Sequence, residues 1–100
     1  MPPLSSAQRK ELRSLAHHLV PIVLIGMKGV TETLVESVNQ ALEAHELIKV
    51  KFNDHKDEKR VLIDSISEAT DSQVAGLIGN VAILYRPNPN PDKRKITFSR

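Results

Sequence analysis

Hydrophobic positions change their spacing several times along the chain. Leu12, Leu15, Ala16 and Leu19 recur at i, i+3, i+4 and i+7, which predicts an amphipathic helix opened by the cap candidates Ser5 and Ser6. Lys10, Arg13 and His17 form a second, basic stripe on that helix, and Pro21 stops it. Ile22-Val23-Leu24-Ile25 is an unbroken apolar run, the pattern of a strand buried on both faces. After Gly26-Met27-Lys28-Gly29, Thr31 is placed to cap a second helix, with Val30, Leu34, Val35, Val38, Ala41 and Leu42 on one face and an end near Glu46.

Ile48, Val50 and Phe52 alternate with Lys49 and Lys51, which predicts a strand with two lysines on its wet face. Polar residues 53–59 lead into a third helix with Leu62, Ile66 and Ala69 on its buried side. Gln73–Ile78 and Val81–Tyr85 read as two strands joined by the hairpin turn Gly79-Asn80. The order αβαβαββ implies a single α/β domain with three helices and a four-stranded mixed sheet, because strands alternating with helices pair in parallel and the last hairpin is antiparallel. The pattern leaves the strand order open. The domain is expected to span residues 1–87. Residues 88–100 are expected to be a basic tail opened by Pro-Asn alternation, stiff, extended and adding little to stability.

At 100 residues the chain is one domain, 40% hydrophobic and 26% charged, with no cysteine and hence no disulfide framework or thiolate metal site. The apolar run Leu19–Ile25 is too short to span a bilayer and resembles no signal peptide, so a cytoplasmic protein is expected. The net charge is only +2, but it is unevenly spread: net +3 over residues 1–30, −4 over 31–70 and +3 over 71–100. Should the two ends meet, they make a basic surface suited to a polyanion.

Two glycines around a lysine at the mouth of a helix point the same way. Glycine supplies positive φ in a tight turn and lets another backbone approach, while the helix N-terminus and Lys28 favour phosphate. Gly-x-x-Gly with a basic residue inside is how KH-type domains clamp a nucleic-acid backbone, although the same four residues also suit a plain turn. The spacing is neither that of a Walker A loop nor that of a dinucleotide fingerprint. His17 and His18 point about 100° apart on a helix and cannot share a metal. Asp64 and Glu68 read as a solvated helix face rather than a catalytic dyad. There is no nucleophile elbow, so no enzyme, cofactor, metal or small-molecule substrate is expected. Phe52, Tyr85 and Phe98 are too few for a stacking platform, so recognition should rest on phosphates and backbone shape.

Arg13-x-x-Ala16-His17-x-Leu19-x-Pro21, Gly26-x-Lys28-Gly29-Val30-Thr31, Ala41-Leu42-x-x-His45-Glu46-Leu47-Ile48-Lys49-Val50 and Leu84-Tyr85-Arg86 together resemble the CRM domain. Within that domain class they are most similar to the stand-alone bacterial YhbY family, over about residues 5–87; Val20 and Met27 depart from residues often basic or polar in relatives. The resemblance implies an RNA-binding domain akin to the C-terminal domain of the third bacterial translation initiation factor. It also implies association with precursors of the large (50S) ribosomal subunit. On this reading Gly26, Met27, Lys28, Gly29 and Thr31 hold the RNA backbone; the protein is expected to be a monomer. Lys10, Arg13, Lys49, Lys51 and Arg86 extend the surface where they share a face. The alternative is a protein-interaction adaptor that docks through its acidic middle third.

Overall fold

The structure of the protein is a computed structural model that describes residues 2–98. Helix α1 spans Ser6–Ala16, strand β1 Val23–Ile25, α2 Glu32–His45, β2 Leu47–Phe52, α3 Lys59–Ala69, β3 Gln73–Ile78 and β4 Val81–Tyr85. Single 3-10 turns, Lys56–Glu58 and Pro91–Lys93, precede α3 and lie in the tail. Local chemistry sets the helix starts. Ser5 and Gln8 form a reciprocal capping box on α1, and the Thr31 hydroxyl accepts from the Leu34 N–H at 3.1 Å to open α2.

The four strands lie in the order β1-β2-β4-β3. β1 runs parallel to β2, with Val23 opposite Val50 and Ile25 opposite Phe52, and the other two pairs are antiparallel. Helices α2 and α3 cover one face, where Val38, Leu42, Ile63 and Ile66 bury Ile25, Ile48, Val50, Phe52 and Leu84. Helix α1 alone covers the other, where Leu12 and Ala16 pack on Leu47, Ala75, Ile83 and Tyr85. The chain is thus a three-layer α/β sandwich with two cores separated by the sheet.

Several expectations are corrected by where the layers fall. β1 is not buried on both faces. It is the edge strand, and α1 lies across β2, β4 and β3 rather than over it, so Leu24 is 55% exposed and Ile22 48%. Helix α1 ends at Ala16, before Leu19. Of its predicted apolar stripe only Leu12 and Ala16 are buried, while Leu15 and Leu19 border an open groove with Ile22 and Ile96. In α3 Ile66 is buried and Leu62 packs partly buried against the core as expected, but Ile63 is buried in place of Ala69, which is exposed.

The residues after Tyr85 do not project as a free extension. Ile96 and Phe98 pack on the α1-side core, Phe98 meeting the Tyr85 ring edge-on at 5.7 Å between centroids. Glu46 holds this segment down. It caps α2 in a left-handed conformation (φ 62°), is 2% exposed, and its carboxylate accepts from the N–H groups of Asn88 (2.6 Å), Lys95 (2.6 Å) and Ile96 (3.2 Å). Tail positions Ser99 and Arg100 lie outside the described residues. The other terminus is pinned by Gln73, whose side-chain amide accepts from Leu4 N–H and donates to the Pro2 carbonyl, both at 2.7 Å.

Removing the Glu46 carboxylate takes the acceptor from three part-buried N–H donors, a net loss of about 0.5–1.5 kcal/mol per hydrogen bond, more where the bond is to a charged group. Glu46→Ala is therefore expected to lower Tm by at least about 4–8 °C, the shift that about 1 kcal/mol produces in a domain of this size. Deleting residues 88–100 should lower it further, because the Ile96 and Phe98 contacts go too; thermal unfolding by circular dichroism checks both, and an unchanged Tm would show that the segment is only laid on the surface.

A second expectation concerns the single tyrosine. Burial pushes the Tyr85 hydroxyl above its ordinary value of 10.0, the Glu46 carboxylate adds to the rise and the Arg94 guanidinium offsets part of it. A folded-state pKa above the unfolded one contributes stability that is fully present below about pH 10 and is lost as pH rises through the folded value. Phenolate absorbance should therefore titrate at higher pH in native than in denatured protein, and Tyr85→Phe should flatten the alkaline fall in stability. Coincident titration curves would refute this.

Candidate nucleic-acid interface

The parallel pair β1–β2 ends where the Gly26–Gly29 loop begins, so the loop caps that end of the sheet and feeds directly into α2. A main-chain bond from Gly29 N–H to the Gly26 carbonyl (3.0 Å) closes it. The two glycines differ in what they do. Gly29 has φ +67°, where any other residue is strained, and a Cβ there would lie 3.4 Å from the His55 ring. A Cβ on Gly26 would meet nothing within 4 Å, and its backbone is not left-handed, so nothing within the fold calls for glycine there. Met27 at the tip is 84% exposed, with Lys28 exposed beside it. Among the described residues, no hydrogen-bond partner is found for the N–H groups of Lys28 and Val30 in the loop or of Glu32 at the first position of α2, the last as expected at a helix start. Free donors, a helix N-terminus and a lysine at one point make an anion-receptive corner.

The loop is braced from below by residues that the sequence reading missed. The Ile25 carbonyl accepts from both Asn53 (2.9 Å) and Asp54 (3.2 Å) N–H groups, and His55 Nε2 donates to the Met27 carbonyl at 2.8 Å. Only the parallel register, which sets Ile25 beside Phe52, brings this segment under the loop, so no local signal marks His55.

The basic residues divide. Lys49 and Lys51 project from β2 on the α1 side, where Arg13, His17 and Lys49 line one cleft with Pro21 and Val81. Lys51 is level with Leu24 of β1, next to the loop, and Lys10 lies one turn before Arg13 on α1. Two of these side chains also serve the fold: Lys49 Nζ donates to the Leu19 carbonyl (2.9 Å) and Arg13 Nη1 to the Ala75 carbonyl (3.1 Å). The Arg13 stem crosses Gly76 so closely that a Cβ there would lie 2.7 Å from its Cδ. Arg86 is at the opposite end of the sheet from the loop. Its guanidinium donates to the Thr70 carbonyl (2.8 Å) and to the Asn39 carbonyl (3.1 Å), tying β4 to the middle of α2 and the C-terminus of α3. Its geometry is that of a structural clamp, and it does not join the surface formed by the others.

The fold is a small three-layer α/β domain whose braced Gly-x-x-Gly turn lies at one end of a mixed four-stranded sheet. The chain belongs to the CRS1 / YhbY (CRM) domain family, whose model matches residues 4–86. It is 39% identical over 101 residues to a Haemophilus influenzae protein named as an RNA-binding protein, covering 100% of this chain and 99% of that one. It is 37% identical over 98 residues to a Pseudomonas aeruginosa protein named as a probable RNA-binding protein, covering 97% and 94%. The solution structure of a candidate RNA-binding protein from Staphylococcus aureus superposes with a TM-score of 0.78 at 35% identity, covering 94% of this chain and 99% of that one.

The different roles of the glycines yield a direct test. Gly29→Ala should cost about 1–2 kcal/mol of stability, the penalty of a left-handed residue with a Cβ, whereas Gly26→Ala should leave Tm within error. Equal effects in chemical denaturation would show that the two positions are conformationally equivalent.

Proposed function

We propose that the protein is a cytoplasmic, monomeric RNA-binding factor that acts on ribosomal RNA during assembly of the large (50S) ribosomal subunit, gripping the RNA backbone at Gly26–Gly29. The observation that carries this reading is the loop itself. Its free N–H donors, Lys28 and the start of α2 converge at an exposed corner where Gly26 leaves room for a partner's close approach. Lys51, Lys49, Arg13 and Lys10 extend the positive surface away from it along the α1 side. Lys10, Lys28 and Lys51 are exposed and present positive charge to a polyanion. Family membership and the relatives' names support RNA as that polyanion. The link to 50S precursors rests on the family resemblance. No helix among the described residues is long and apolar enough to cross a membrane.

Gly26→Asp is the variant of choice, since it adds a negative charge where the fold has empty space. It should leave Tm unchanged and weaken binding to single-stranded RNA by about tenfold or more, the worth of about 1.4 kcal/mol. In a salt titration followed by fluorescence anisotropy, log affinity of the unmodified protein should fall linearly with log salt, with a slope of about −0.7 per phosphate neutralised. A few contacts give about −2 to −4. A slope near zero would overturn phosphate-led binding. Sedimentation of cell extracts should place the protein with 50S precursors in a nuclease-sensitive manner; migration that survives nuclease and follows a protein partner would instead mark an adaptor.

A further inference from the structure

The loop opens onto two unlike surfaces, one on each side of β1. On the α1 side Leu24 stands level with Lys51, with Lys49 two residues along β2, so that side is basic. On the α2 side the loop runs into a shallow groove of about 340 Å³, within the size range of ligand clefts, about 300–1,000 Å³. Met27 and Leu34 supply its apolar lining, Leu24 forms its border with the basic side, and Thr33 and Ser37, one turn apart on α2, supply hydroxyls. Lys28 is the one charged residue that lines it; none of the α2 acids, Glu32, Glu36 and Glu43, does so. Each hydroxyl both donates and accepts, and the Ser37 hydroxyl, which donates to the Thr33 carbonyl at 3.0 Å, keeps its lone pairs. β1 is an edge strand, so it adds a row of main-chain donors and acceptors without a strand partner.

Unpaired RNA presents the same asymmetry: a charged backbone on one side and flat, uncharged, hydrogen-bonding bases on the other. We infer that the groove between β1, the loop and the Thr33–Ser37 face of α2 receives nucleobases of a single strand whose phosphates run over the loop toward Lys51 and Lys49. This deepens the RNA-binding reading and rests on it. The charge distribution orients the strand, since phosphates turned toward α2 would lie nearer its acids, whereas neutral bases meet no such penalty there. A duplex hides its base edges, so the site selects single-stranded RNA.

The test compares a single-stranded oligonucleotide with an abasic one of the same length and charge, each against unmodified protein, Ser37→Leu and Gly26→Asp, with Tm measured on the same preparations. Ser37 is exposed and leucine favours helix, so Ser37→Leu fills the groove without harming the fold. The unmodified protein should bind the base-bearing strand about tenfold more tightly than the abasic one. Ser37→Leu should erase that difference and leave abasic binding unchanged, and Gly26→Asp should weaken both. Photocrosslinks from 4-thiouridine should fall within residues 24–37. Equal affinity of the unmodified protein for the two strands, or undiminished preference in Ser37→Leu, overturns the base groove while leaving the phosphate grip standing. Unaltered binding of both strands by folded Gly26→Asp overturns the grip itself.

Discussion

The parallel pairing of β1 with β2 is the constraint on which the rest of the molecule depends. Two parallel neighbours cannot be joined by a hairpin, so the chain must cross over, and α2 is that crossover, laid on one face of the sheet. A crossover helix starts where its first strand ends, which puts the N-terminus of α2 and its free N–H groups at one end of the sheet. The same register delivers residues 53–55 beneath the loop, where their main chain and the His55 ring hold two of its carbonyls. The loop is thus an exposed segment laid on a hydrogen-bonded base, as surface loops held by a scaffold are.

The far end of the crossover is governed by Glu46. A left-handed residue there turns the chain from helix to strand without an intervening loop, and glycine would adopt that conformation more readily. Glutamate provides what glycine lacks, a carboxylate that satisfies three tail N–H groups in a buried setting. At Gly29 no side chain is needed, and glycine stands there.

Elements with strong local signals were legible in the sequence. The β3–β4 hairpin falls where Gly79-Asn80 places it, with Gly79 at φ +58°, and Thr31 opens α2 as expected. The loop was legible too, because glycine and helix-cap preferences act over a few residues. What could not be read depends on lateral position. Four consecutive apolar residues suggest a covered strand, but whether β1 is covered depends on where α1 lies, and α1 sits over the other three strands. Pro-Asn alternation describes a stiff segment without revealing the buried carboxylate fifty residues earlier that receives it. Arg86 is just as basic as Lys51 on paper, and only the meeting of β4 with the middle of α2 and the C-terminus of α3 engages it within the fold.

The two cores draw on different stretches of the chain. Every buried member of the α2/α3-side core lies between Val23 and Leu84, whereas the α1-side core joins Leu4 to Tyr85 and is completed by Ile96 and Phe98. During synthesis, all buried residues of the first core are available before the last residues of the second have been made. Helix α1, although first out, must wait for the strands it packs on and then for the final segment that seals them. The Gly26–Gly29 loop belongs to the layer whose parts are complete earlier. The other layer closes only through contacts of high sequence separation, between residues 4–16 and residues 83–98, which ties its formation to late contacts rather than local ones.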